Sequence, residues 1–209
     1  MGTVRGVVRL RPLVTASLAA ALLAGCGSTA TSKIEAPAQP KSRFAGAEVR
    51  PARVAPPLAL RDAWGHPVTL AAQHGRYVLV TFLYVHCPDV CPLIAQNLNL
   101  ALKRLGPRRD RVRVLAVSVD PKGDTPAAVK RYIVERGLLP QFRYLVGSRA
   151  QLKPIWSAWH VLAVRSSPNV VEHVAYTALV DPAGKQRVLY DSSVKYSQVL
   201  HDLRVLMSA

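Results

Sequence analysis

Between Tyr77 and Pro92 the sequence reads YVLVTFLYVHCPDVCP. The apolar run, rich in β-branched and aromatic residues, predicts a buried strand that empties into Cys87-Pro88-Asp89-Val90-Cys91-Pro92. Past that turn, Ile94, Leu98, Leu102 and Leu105 share one face at helical spacing, so a helix begins near Cys91. Two thiols therefore sit where a strand hands over to a helix, at the edge where open α/β sheets gather their function. A helix start also favours thiolate over thiol, and the thiolate is the form that attacks disulfides and binds metals. A chain with this stretch at its centre must build an α/β sheet around it.

The flanking patterns supply the rest of such a sheet. Leu58-Ala59-Leu60 and Val68-Thr69-Leu70 flank a turn at Gly65 and predict a short hairpin. The strand at 77–85 and the helix at 91–105 follow, and Val112 to Val119 is another buried strand. Thr125 caps a helix with Pro126 at its first position, Val129, Tyr132 and Ile133 form its inner face, and Gly137 stops it. Phe142 to Val146 predicts a third strand. Ser148 then opens a helical segment carrying Leu152, Ile155, Trp156 and Trp159, in which Pro154 predicts a kink or a late start. Val174 to Val180 and Gln186 to Tyr190, joined by Asp181-Pro182-Ala183-Gly184, predict a second hairpin, and Val199, Leu203 and Leu206 mark a closing helix. This order is that of an α/β, thioredoxin-like fold: a central sheet, flanking helices and an N-terminal β-hairpin over residues 58–209. No internal repeat is visible.

The N-terminal quarter has a different character. Arg5, Arg9 and Arg11 precede the apolar stretch Leu13 to Ala24, a signal-peptide pattern over residues 1–25. That stretch is shorter than the roughly 18 residues a membrane span needs. It ends in Leu23-Ala24-Gly25-Cys26, which resembles the lipobox of bacterial lipoproteins and marks Cys26 for lipidation. Acylation of Cys26 leaves one pair from the three cysteines, so no odd thiol remains outside the cytoplasm. Residues 26–57 are rich in Ser, Thr, Ala, Lys and Gln, with prolines scattered from Pro37 to Pro57, and predict a flexible tether. Such a tether spans roughly 30 Å. The expected location is the cell membrane, lipid-anchored, with the folded part on the periplasmic or extracytoplasmic side.

The formal net charge is +16, and losing the three arginines of the signal peptide leaves about +13. Runs such as Arg108-Arg109-Asp110-Arg111 invite a nucleic-acid reading, but the basic residues lack interleaved aromatics and the chain carries an export signal. No nucleic-acid partner is expected. A positive exterior fits anionic lipid headgroups or an acidic partner surface, and compositional bias explains it equally well.

With three residues between them, Cys87 and Cys91 are still able to form a disulfide, and the loop leaves room for both sulfurs to converge on a metal. Soft thiolates select Cu(I) or Zn(II), and imidazole suits both. Of six histidines, His66, His74 and His201 lie in polar turns or on the last helix and read as solvated, while His160 follows Trp159 and reads as packed. His86 adjoins Cys87, but neighbours on an extended chain point to opposite faces. His173 lies in Asn169-Val170-Val171-Glu172-His173, before a predicted core strand, and reads equally as a structural histidine or a ligand. Asp89 reads as a helix-start carboxylate, and Asp120 and Asp124 as turn and capping residues rather than ligands.

TF-x-Y-x-x-CPDVCP at 81–92, SVDPKGDTP at 118–126 and Glu172-His173 before a strand together resemble the SCO/SenC family over about residues 58 to 209. Members are membrane-tethered thioredoxin-fold proteins that bind copper and help build the binuclear copper site of cytochrome c oxidase. The resemblance implies copper, as Cu(I) or Cu(II), held by Cys87, Cys91 and His173, and a copper-site subunit of that oxidase as partner. Val85 stands where the family usually has Thr, and Glu172 where an Asp often precedes the histidine. The resulting expectation is a metallochaperone. The alternative is an enzyme, a thiol–disulfide reductase using Cys87 and Cys91 as a redox dithiol on the oxidase's copper-site cysteines or another exported protein. A thiol peroxidase is disfavoured because Tyr84 stands where a Thr would be needed. The inventory also lacks a CxxCH haem motif, a cupredoxin ligand cluster and a fourth protein ligand for structural zinc.

Overall fold

A computed structural model describes residues 41–167 and 170–208. The signal-peptide stretch, Cys26 and the tether up to residue 40 lie outside the described residues, as does Asn169. In chain order the elements are β1 (Ala47–Val54), β2 (Ala59–Asp62), β3 (Pro67–Thr69), β4 (Tyr77–Leu83), α1 (Val90–Leu105), β5 (Val112–Ser118), α2 (Pro126–Glu135), β6 (Phe142–Val146), α3 (Arg149–Ala158), β7 (Ala163–Ser167), β8 (Val170–His173), β9 (Thr177–Val180), β10 (Lys185–Tyr190) and α4 (Tyr196–Met207).

Eight strands form one sheet in the order β1-β10-β9-β4-β5-β6-β2-β3, and β7 and β8 pair separately. The thioredoxin-like expectation holds: β4, β5 and β6 are parallel, and β9, β10 and the β2–β3 hairpin extend the sheet antiparallel on either side. All seven residues of β4 are buried, because a central strand covered on both faces has no polar side to show. Its two hydroxyls are both bonded: Tyr77 donates to the Leu206 carbonyl (2.8 Å), and Thr81 donates to the Tyr176 carbonyl (3.2 Å) and receives the Thr177 hydroxyl (3.1 Å).

The helices start where the local chemistry dictates. Thr125 accepts the Ala128 N–H, Pro126 occupies the first turn of α2, and Gly137 at φ 54° ends the segment. Ser148 and Gln151 make a reciprocal capping box that starts α3 at Arg149, so the helix runs through Pro154 with no late start. In α1 the buried Asn99 donates to Gly137 O (3.0 Å) and accepts from Leu139 N (2.9 Å), tying the helix to the loop beyond α2.

Two expectations need correction. Residues 41–57, read as tether, belong to the folded unit that begins at Lys41: β1 pairs with β10, and Phe44 and Ala55 are buried. The reason is tertiary. Asp202 of α4, fully buried, accepts the N–H groups of Ala45 (2.7 Å) and Gly46 (3.0 Å) and the Tyr190 hydroxyl (2.8 Å). Gly46 is needed there, since a Cβ would lie 2.5 Å from Val188 and 2.6 Å from Tyr190. Second, the segment that carries His173, to which the sequence assigned no strand, contains β7 and β8, paired antiparallel.

Truncating Asp202 would leave two amides and a phenol unpaired in the interior. Asp202→Ala is expected to cost about 2–4 kcal/mol in denaturant unfolding, through release of the 41–47 segment.

Candidate metal centre

Register places the cysteine turn. Leu83, the last residue of β4, is level with Ser118, the last residue of β5, while Thr81 is level with Thr177 of β9. The turn 84–89, the turn 119–125 and the link 174–176 thus gather at one edge of the sheet. Asp124 fastens them. Its carboxylate, 3% exposed, accepts the Val85 N–H (2.8 Å), the Ser118 hydroxyl (2.6 Å) and the Tyr144 hydroxyl (3.1 Å). Burial pushes its pKa up to about 7 against the lowering effect of these bonds. Asp124 is therefore more than the turn residue the sequence suggested.

Cys87 and Cys91 are both buried, unbridged and adjacent. The Cys91 N–H donates to Cys87 Sγ (3.4 Å), while Asp89 at the helix start makes no side-chain capping bond. Sulfur thus takes the cap role proposed for Asp89. The Cys87 pKa is lowered to about 5, first by the Cys91 thiol, then by the amides of Asp89 and Cys91 and by the Tyr84 hydroxyl, against the cost of burial. Cys91 moves the opposite way, because a thiolate beside it and burial around it both oppose its ionisation. One sulfur is a ready donor and nucleophile; the other holds the proton.

His173 ends β8 on the same edge. Its Nε2 lies 3.1 Å from the Phe82 carbonyl, at the end of β4, and its ring meets the Tyr84 ring edge-on with centroids 5.8 Å apart. Its Nδ1 faces the Val171 carbonyl at 3.4 Å, so both ring nitrogens meet oxygens that can only accept, and the closer contact favours hydrogen on Nε2. Tyr84 lies between the two halves: its ring packs on His173, and burial, with the Cys87 sulfur beside it, pushes its pKa up to about 12. Glu172 is exposed and takes no part in orienting the imidazole. The structure therefore brings Cys87 and Cys91 into direct contact and sets His173 one side chain away. Among the described residues no three His, Cys, Asp or Glu side chains converge closely enough to hold a metal.

The other histidines do not join them. His66, bonded to Asp62 (3.2 Å), His74 and His201 are exposed as expected. His86 is exposed against the 120–124 turn, and His160, expected to be packed, is exposed at φ 56° just beyond α3. Tyr84, Asp124 and Tyr132, whose hydroxyl reaches Cys91 O at 3.5 Å, are site residues that sequence reasoning missed. A phenol next to the end of a hydrophobic run, or an aspartate just ahead of a Thr-Pro cap, carries no local sign of such contacts.

A buried CxxxC dithiol at the head of the first long helix, with an imidazole delivered from a later hairpin, defines a thioredoxin-like domain with a donor set for soft metals. The chain belongs to the SCO1/SenC family, whose model matches residues 46–208. It is 30% identical over 129 residues to the SCO2-like protein RC0895 of Rickettsia conorii, a match covering 58% of this chain and 62% of that protein. Among solved structures it resembles Bradyrhizobium japonicum ScoI with copper bound (29% identity, TM-score 0.64, 73% of this chain and 99% of that one). It likewise resembles apo Sco1 from Thermus thermophilus (31% identity, TM-score 0.67, 78% and 96%). The chain spans about three fifths to two thirds of the length of the curated Rickettsia relatives it matches.

Two measurements test this site. In the fully reduced protein, the alkylation rate of Cys87 should titrate with a midpoint near pH 5 while Cys91 stays protected; a midpoint near the free-thiol value of about 8.5 would remove the proposed asymmetry. Asp124 should leave a mark on stability. With its folded pKa near 7 and the usual carboxylate value of 3.8 when unfolded, the native state binds the extra proton between them. Its contribution is therefore full below about pH 4 and is lost as pH rises through 7. Unfolding free energies measured across that range should fall with pH more steeply in the wild type than in Asp124→Asn.

Proposed function

We propose that this chain is a membrane-tethered copper metallochaperone, anchored through lipidated Cys26. It holds copper with Cys87, Cys91 and His173 and passes it to the binuclear copper site of cytochrome c oxidase. The observation that carries this reading is the pairing of a thiolate-prone Cys87 with Cys91 near an imidazole whose two nitrogens face backbone carbonyls, Nε2 the more closely. A metal-binding histidine typically donates its second ring N–H to such an acceptor, which fixes its tautomer and orientation. Two thiolates and one imidazole make a soft donor set suited to Cu(I), and the same set with a further weak ligand suits Cu(II).

Copper is cargo here, and the residues act on its entry and exit. Cys87 offers a thiolate near neutral pH, and Cys91 surrenders its proton as the metal arrives, so loading releases protons and weakens in acid. His173 supplies the third donor when its hairpin shifts toward the sulfurs. An acceptor's own thiolates then exchange for these ligands one at a time. Among the described residues no helix is long and apolar enough to cross a membrane, and the anchoring role falls to Cys26 in this reading.

The thiol asymmetry supports a second reading, a thiol–disulfide reductase. Cys87 thiolate would attack an acceptor disulfide and form a mixed disulfide while one acceptor thiolate leaves. Cys91, deprotonated, would then attack Cys87 sulfur and release the second thiolate. Two electrons pass to the acceptor and Cys87–Cys91 ends as a disulfide. His173 has no part in that exchange.

Anaerobic Cu(I) titration of the reduced protein separates the two. Wild type should bind one equivalent, and His173→Ala should bind at least about tenfold more weakly. Unchanged affinity and stoichiometry in the variant, together with intact disulfide turnover, would favour the reductase.

A further inference from the structure

Among the described residues, β7 and β8, which carry His173, pair with no strand of the main sheet, so side-chain contacts fix where they sit. Its register aligns Ala163 with His173 and Arg165 with Val171, which puts Arg165, Val171 and His173 on one face. Leu162, Val164 and Val174 alternate with these residues and are exposed. On the inner face the Val171 side chain is buried, His173 meets the Phe82 carbonyl and the Tyr84 ring, and the Arg165 guanidinium pairs with the Asp120 carboxylate. The Asp120 side chain is 5% exposed and that of Arg165 27%, so this pair is well shielded from water.

The turn after β5 is shaped around that carboxylate. The Asp120 N–H donates to the Ser118 hydroxyl (3.1 Å), and its Oδ1 accepts the Lys122 N–H (3.2 Å). A Cβ at Gly123 would collide with the Asp120 carboxylate and approach the His86 ring to 3.1 Å. One short turn thus grips both halves of the site: Asp124 holds the cysteine loop through Val85, and Asp120 holds the histidine hairpin through Arg165.

We propose that Arg165, through its ion pair with Asp120, is a positioning residue that sets His173 against the dithiol. Removing the guanidinium leaves a buried carboxylate without its counter-charge and frees the hairpin to move off the turn. The dithiol, held by Asp124 and the start of α1, stays in place. This inference rests on the reading of His173 as a copper ligand.

The test uses the full chain in detergent, reduced and anaerobic, with Cu(I) competed against a chromophoric chelator. Arg165→Ala should weaken Cu(I) binding about tenfold, Arg165→Lys should restore most of it, and the alkylation profile of Cys87 should not move. In a His173→Ala background, Arg165→Ala should cause no further loss. If Arg165→Ala fails to fold by circular dichroism, Asp120→Asn is measured in both backgrounds with the same expectation. Loss in His173→Ala but none in Arg165→Ala overturns this inference and leaves the copper reading standing. Equal losses from Arg165→Ala in both backgrounds also overturn it. No loss in His173→Ala overturns the ligand reading and this inference with it.

Discussion

The Asp124 carboxylate is a polar group in an apolar interior, and three donors from three neighbouring segments meet on its two oxygens. A carboxylate left unpaired there would cost several kcal/mol, so the segments cannot drift apart separately. Ser118 closes β5, Tyr144 belongs to β6, and Val85 lies just past β4; the bond from Val85 aims the cysteine loop. Strand order matters to function for this reason. Only with β4, β5 and β6 side by side do those donors fall within reach of one side chain.

The three-residue spacing of the cysteines has its consequence one step later. Cys91 occupies the second position of α1, where a backbone N–H has no partner within the helix. With Cys87 four residues earlier, its sulfur reaches that N–H and takes a role usually filled by a Ser, Thr or Asp oxygen. An anion suits that place, which ties the ionisation of Cys87 to the helix start. The proton excluded from one sulfur is held by its neighbour. The same asymmetry serves nucleophilic attack and metal capture, so the dithiol alone does not distinguish the two.

Much of this was legible because it is local. The unbroken apolar run of β4, the Thr-Pro start of α2 and the Ser148–Gln151 box of α3 each declare themselves within a few residues, and the cysteine turn follows from them. β1 did not. Pro51 interrupts it, its outer residues are exposed as on any edge strand, and its pairing with β10 spans most of the chain. The β7–β8 hairpin was equally hidden, since its alternating pattern around Pro168 and Asn169 is short and partly polar. His173 could be named through family resemblance. What sets it on the cysteine side of the sheet, the Tyr84 ring and the Phe82 carbonyl, is a long-range packing relation that no spacing encodes.

The two parts of the site are held with different firmness, and the difference matches the proposed task. The cysteines rest on buried backbone and a buried carboxylate, so their geometry is set before any ligand arrives. The histidine rides on a separate hairpin held by the Arg165–Asp120 ion pair, the Tyr84 ring, the Phe82 carbonyl and the buried Val171, with apolar residues facing solvent on its far side. A resident cofactor is best served by three rigid donors. Cargo must leave as well as enter, and a site with two fixed donors and one that can swing away lowers the barrier to exchange without giving up the soft pair that selects the metal. Tyr84 belongs to the cysteine loop and packs edge-on against the imidazole, so withdrawal of the hairpin uncovers that phenol on the side next to Cys87 while the dithiol keeps its place.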